Sequence, residues 1–144
     1  MEHLLFTETE QKLIIEAIKT AELNTSGEVR VHVEHHCPYQ DALTRAQEVF
    51  AQLNMHRTDL QNGVLFYVAV TDRKFAVLGD KGINDRVPSS FWNDVRDILK
   101  QNFVNEQFSA GLSKGIMLAG EQLKAFFPRQ NNDKNELPDD ISFG

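Results

Sequence analysis

The sequence holds a single cysteine, Cys37, in 144 residues. That excludes an internal disulfide framework and any Cys-rich zinc module. It also lacks an apolar run approaching the ~18 residues that a membrane-spanning helix needs. The opening stretch, Met1-Glu2-His3-Leu4-Leu5-Phe6, has neither the basic region nor the long apolar stretch of a signal peptide, so a cytoplasmic location is expected. Basic residues are in the minority, 15 Lys and Arg against 21 Asp and Glu, for a net charge of −6. This balance disfavours phosphate backbones and anionic membrane surfaces as partners. There is no Gly-x-Ser-x-Gly elbow, no Asp-x-Asp pair and no phosphate-cradling Gly-x-x-x-x-Gly-Lys. His36-Cys37 has the start of a cysteine phosphatase signature, but Leu43 stands where the clamping arginine belongs and Arg45 comes two residues late. What is present, 41% apolar and 25% charged residues, suits one soluble domain with its own core.

Thr7-Glu8-Thr9-Glu10 has the form of a capping box, and Leu13, Ile14, Ala17, Ile18 and Ala21 follow at helical spacing, predicting a helix over 8–23. Residues 28–34 alternate, with Val29, Val31 and Val33 on one side and Arg30, His32 and Glu34 on the other, predicting a strand with one buried face. Asp41 caps a second helix. Residues 64–70 are nearly all apolar, which predicts a strand covered on both faces. Strand, helix and strand in this order make a parallel βαβ unit. Asp72-Arg73 then predicts a two-residue hairpin, with Thr71 opposite Lys74 and Asp80 opposite Leu65. Two more helices follow, starting at Ser89 or Ser90 and at about 109, the second carrying Gly111, Gly115 and Ala119 for close packing. The expected fold is α/β: a three-layer α/β/α sandwich on a mixed sheet, with helices on both faces. Residues 1–128 form the domain. Residues 129–144 are polar and aperiodic and read as a flexible acidic tail, with Ile141 and Phe143 as apolar exceptions.

Two clusters stand out. His35-His36-Cys37 offers soft ligands, but adjacent strand residues point to opposite faces, so they read as loop residues and a small apolar thiol. The stretch Gly79-Asp80-Lys81-Gly82-Ile83-Asn84-Asp85 offers hard oxygen donors. The expected topology gathers Glu28, Asp59, Asn62, Asp80 and Asp85 at one end of the sheet. Asp72-Arg73 lies at the other end.

Several ordered motifs resemble the TPM domain family: Ser26-Gly27-Glu28-Val29-Arg30-Val31, Asn62-Gly63-Val64-Leu65, Val70-Thr71-Asp72-Arg73-Lys74, the 79–82 loop and Phe108-Ser109-Ala110-Gly111-Leu112. The resemblance covers about residues 5–127, and the C-terminal stretch looks like that of short bacterial members. It implies the same sandwich and a divalent cation, calcium or magnesium, in acidic loops at one end of the sheet. Gln61-Asn62-Gly63 stands where longer members often read Asp-Asn-Gly, so one carboxylate is missing. The expected function is a cation-binding, non-catalytic interaction or regulatory module, a monomer that binds its metal weakly and engages a protein partner. The alternative that the family label carries is a metal-dependent acid phosphatase.

Overall fold

The computed structural model describes residues 5–129, 137 and 139–144. Helix α1 (Glu8–Asn24) opens on the expected capping box: the Glu10 amide donates to Thr7 Oγ1 at 3.1 Å, and the Thr7 amide donates to Glu10 Oε1 at 2.8 Å. Strand β1 (Glu28–Glu34) follows. Helix α2 (Ala42–Gln52) is capped by Asp41, whose carboxylate accepts from the Leu43 amide at 3.0 Å. A short 3₁₀ turn, Met55–Arg57, leads to β2 (Gly63–Ala69), which lies parallel to β1 from Glu28↔Gly63 to Glu34↔Ala69. Strand β3 (Lys74–Gly79) returns antiparallel to β2. Helices α3 (Lys81–Asn84), α4 (Asn93–Val104) and α5 (Phe108–Leu123) come next, and β4 (Ile141–Phe143) closes the order β3-β2-β1-β4.

The sheet is mixed, and helices pack on both of its faces. One face carries Val29, Val31, Val33, Val64, Phe66, Val68 and Val77 into the larger core with α1, α4 and α5. The small residues of α5 allow that packing, since a Cβ on Gly111 would stand 2.8 Å from Asn102 of α4 and one on Gly120 2.7 Å from Ala21 of α1. The other face sets Leu65, Tyr67 and Ala69 against Ala46, Val49 and Phe50 of α2.

Four details differ from the sequence reading. The hairpin pairs Ala69 with Lys74 and Leu65 with Leu78, two residues away from the expected register. Val70 and Thr71 are drawn off instead, their amides donating to the carbonyls of Glu34 and His35 at 2.9 Å each. The loop over 70–73 then needs only one left-handed residue, Arg73 at φ 56°, which suits Asp-Arg better than a tight turn with two. A slip of two leaves every side chain on its expected face. Second, the loop expected over 80–88 contains α3, with Ile83 buried. Third, the helix expected from Ser89 or Ser90 begins at Asn93, after turns in which Phe91 and Asn93 donate to Pro88 and Ser90.

The fourth concerns the C-terminal stretch, expected as a flexible tail over 129–144. Residues 130–136 and 138 lie outside the described residues. Leu137 is buried, and 141–143 form β4, parallel to β1 from Val31↔Ile141 to Val33↔Phe143. The Gly144 amide extends the pairing to the Val33 carbonyl at 3.0 Å. A three-residue strand is too short for alternation to declare it, and the free edge of β1 supplies the unpaired backbone groups that hold it. With this cover every residue of β1 is buried, its polar side included.

Candidate functional site

Of the five expected ligands, Asp80 follows the edge strand β3 directly, its amide donating to the Gly63 carbonyl at 2.9 Å. It caps α3, and its Oδ1 accepts from the Lys81 amide at 2.7 Å. Its Oδ2 is buried and meets no hydrogen-bond donor among the described residues. Asp80 also lines a recess of about 190 Å³ with Gln47, Phe50, Leu78 and Gly79. The loop that carries Asp59 and Asn62 is clamped to α3 by Gly82. Its amide donates to the Gln61 carbonyl at 2.9 Å, and a Cβ there would stand 2.1 Å from the Leu60 carbonyl. Only glycine permits this approach.

Asn62 is buried. Its amide donates to Thr58 Oγ1 at 3.1 Å, its side-chain nitrogen to Ser26 Oγ at 3.4 Å, and its carbonyl accepts from the Glu28 amide at 3.2 Å. Glu28 is buried two strands from Asp80, on the same face, with Gly63 between them; its Oε1 accepts from the Leu137 amide at 2.5 Å. Met55 and Leu137 fill the space over Gly63. Asp59 is exposed. Asp85 turns outward: it is 63% exposed and pairs with Lys81 at 3.6 Å. Thus Glu28, Asn62 and Asp80 share one end of the sheet, and Asp85 stands outside the group. Among the described residues no three His, Cys, Asp or Glu side chains converge as a metal cage.

At the other end, His36 Nδ1 lies 3.0 Å from Asp72 Oδ1, and the Cys37 amide donates to Asp72 Oδ2 at 2.7 Å. The hydrogen bond with His36, then that with the Cys37 amide, hold the Asp72 carboxyl below its ordinary range. Cys37 packs against the smaller core. This is loop chemistry, as expected.

The constellation that the sequence reading did not single out is the polar side of β1. Glu34 takes two hydrogen bonds from Arg45 of α2, each 2.9 Å, and one from the Tyr67 hydroxyl. Burial pushes the Glu34 carboxyl up, but Arg45 and Tyr67 outweigh it and leave it at about 2. His32 stacks on Tyr67 with ring centroids 6.0 Å apart; its Nε2 lies 3.4 Å from Glu34 Oε1 and its Nδ1 2.9 Å from Ser142 Oγ. Burial lowers the His32 pKa despite Glu34, so the ring is neutral at pH 7. Arg30 reaches Asp140 at 3.3 Å. At the end of α1, the buried Glu22 accepts from the Val29 amide at 3.0 Å; burial, then the neighbouring Asp139 carboxyl, raise it to about 9. Each of Arg30, His32 and Glu34 alternates with a valine, which is the pattern of a solvated face; nothing local announces that a segment 110 positions away covers it.

The fold and these two ends define an α/β/α domain with an acidic sheet end and a polar strand sealed by its own C-terminal segment. The chain belongs to the TPM domain family, whose model matches residues 2–122. It is similar to the NMR structure of the BA42 protein from the psychrophilic bacterium Bizionia argentinensis. The two share 46% identity, with 100% of this chain and 99% of that one covered, at a TM-score of 0.93. The fold alone recurs in the N-terminal domain of the cg2496 protein from Corynebacterium glutamicum, at 11% identity over 95% of this chain and 80% of that one, TM-score 0.63. It recurs likewise in the N-terminal domain of a protein from P. gingivalis, at 13% identity over 89% and 83%, TM-score 0.66. No curated protein matches the chain. Among the described residues no helix is long and apolar enough to cross a membrane.

Proposed function

We propose that this TPM domain is a non-catalytic interaction or regulatory module that takes a divalent cation, calcium or magnesium, weakly at Asp80. The observation that carries the reading is the second carboxylate oxygen of Asp80, buried with no donor among the described residues, on a residue that also lines the recess. A buried acceptor left unmet is costly, and a cation relieves that cost directly. Glu28 and Asn62 stand at the same end of the sheet but are engaged by backbone amides and by Ser26, so they support the site more than they fill its shell. One or two carboxylates with water completing the shell is the usual habit of magnesium. Affinity on the order of 10⁻⁴–10⁻³ M follows, as for loosely liganded calcium modules.

Hydrolysis of phosphate esters is the less supported reading. Of the five residues lining the recess only Asp80 is charged, and the adjacent Lys81 points outward, 75% exposed and paired with Asp85. A phosphate would meet no cationic clamp among them.

An amide-shift titration with magnesium and calcium tests the site. Shifts confined to residues near 59–63 and 79–82 are expected, and Asp80→Asn, which keeps the cap of α3, should weaken them at least fivefold. Unchanged amides at millimolar ion would end the cation reading. Turnover of p-nitrophenyl phosphate that needs metal and vanishes in Asp80→Asn would replace it with the phosphatase.

A further inference from the structure

The polar side of β1 and the segment over it form a receptor and its ligand on one chain. The receptor is built in: Arg30, His32 and Glu34 are buried on a strand paired with β2, and Arg45 and Tyr67 hold Glu34 in place. The segment is read residue by residue. The Leu137 amide meets Glu28, Asp140 meets Arg30, Ser142 meets His32, and Gly144 lies where a Cβ would come within 2.6 Å of both His32 Nε2 and Glu34 Oε1. The segment is anchored by Leu137, buried in the smaller core, and by Ile141, packed against the larger one, but the rest of its hold is slight. Its strand is three residues long, the Asp140 side chain is 69% exposed and Phe143 is 46% exposed.

The fit is also incomplete at one place. Arg30 is 8% exposed, yet its Nε is buried with no hydrogen-bond partner among the described residues, because Asp140 reaches only Nη2, at 3.3 Å. A guanidinium presents parallel donors to a carboxylate, and a single long contact uses one of them. The cradle therefore suits a carboxylate that reaches one methylene deeper.

We propose that this edge of β1 is a strand-acceptor groove for an extended segment of a partner protein, and that residues 137 and 139–144 occupy it in the partner's absence. The ligand runs parallel to β1. It carries glutamate opposite Arg30, a hydroxyl residue opposite His32 and glycine over the His32–Glu34 pair. Backbone pairing supplies the affinity and the side chains the register, as in other strand-addition complexes. The tethered segment competes from an effective concentration in the millimolar range, so a partner displaces it by matching Arg30 better or by adding contacts elsewhere. This proposal rests on the interaction-module reading but not on the cation, and its test is run in chelator, where loss of the metal site changes nothing.

The full chain is folded with a protease recognition sequence inserted between residues 133 and 134, then cut. Labelled peptides are added: Leu-Pro-Asp-Asp-Ile-Ser-Phe-Gly, the same with glutamate at the position of Asp140, and a scrambled control. Both ordered peptides should exchange with the cut segment. The glutamate peptide should bind about fivefold tighter, the upper end for a partly exposed ion pair. Arg30→Gln should abolish that preference. As a second route, Asp140→Arg in the uncut chain loosens the segment without removing it and should admit the glutamate peptide. The proposal is overturned if neither chain takes up peptide at about 1 mM, the competing effective concentration. It is equally overturned if the cut segment never exchanges, or if the scrambled peptide binds as well.

Discussion

One strand separates two kinds of interior. On one side of β1, the side chains of Val29, Val31 and Val33 face α1, α4 and α5 through apolar contact. On the other, Glu28, Arg30, His32 and Glu34 meet Arg45 of α2 and Leu137, Asp140 and Ser142 through directed hydrogen bonds. Apolar burial is non-directional, so any helix with a matching stripe can supply it. Buried charge demands a named partner at a named distance, and costs more when that partner is lost than it contributes when present. The first side is therefore robust to who covers it, and the second is selective.

The largest effect is expected on the apolar side. Phe66 is fully buried between β2 and the α5 layer, and Phe66→Ala should cost about 3–5 kcal/mol, read by urea unfolding. It should leave peptide exchange at β1 intact while the domain stays folded. Arg45→Ala comes next. It strands the buried Glu34, for which about 2–3 kcal/mol is expected, below the full loss for a buried pair because the Arg45 side chain is 15% exposed. Arg45→Ala combined with Glu34→Gln should recover part of the loss; an additive double mutant would mean the pair is not coupled.

Acid and base test the polar side in opposite directions. His32 has a folded pKa below its ordinary 6.5. Between those two values the unfolded chain holds a proton that the native state does not, so stability falls as pH drops below about 6.5. Glu34, lowered from 4.5 to about 2, continues the decline across that lower range. Glu22 behaves oppositely. With its pKa raised from 4.5 to about 9, the native state holds the extra proton, and stability is lost as pH rises through that window. Glu22→Gln should raise stability at pH 8 and flatten the alkaline arm. His32→Gln should flatten the arm just below pH 6.5. An unchanged pH profile in either variant removes that residue from the account. The smallest effect is Asp140→Ala, at most about 1 kcal/mol for so exposed a pair, in thermal melts.

Legibility followed the same division. The capping box at Thr7, the Asp41 cap, the parallel βαβ unit and the all-apolar β2 were readable because each rests on neighbours within a few residues. The hairpin register was not, because Val70 and Thr71 are claimed by β1, a competitor that the local turn does not contain. At the candidate site, the hairpin brings Asp80 to the Asn62 loop as expected in outline, but opposite Gly63 rather than Leu65, and Gly82 proves to be the clamp that holds them together. That Asp85 would turn to Lys81 was not, since it depends on Lys81–Asn84 forming a helical turn that sets the two residues one turn apart. The burial of Arg30, His32 and Glu34 left no local trace, because their cover arrives from the far end of the chain.

That distance has a consequence for synthesis. A chain made from its N-terminus begins to fold while it emerges, and residues 137–144 emerge after everything they will cover. Until they do, β1 presents an open edge to the crowded space around the ribosome. An open edge flanked by valines on both sides would be an invitation to pair with other nascent chains. An edge flanked on one side by Arg30, His32 and Glu34 is hydrated and charged while it waits, and inward-pointing charge is one of the devices that keep unpaired strands apart. The polar residues that select the closing segment thus also act as the strand's guard during the interval before it arrives.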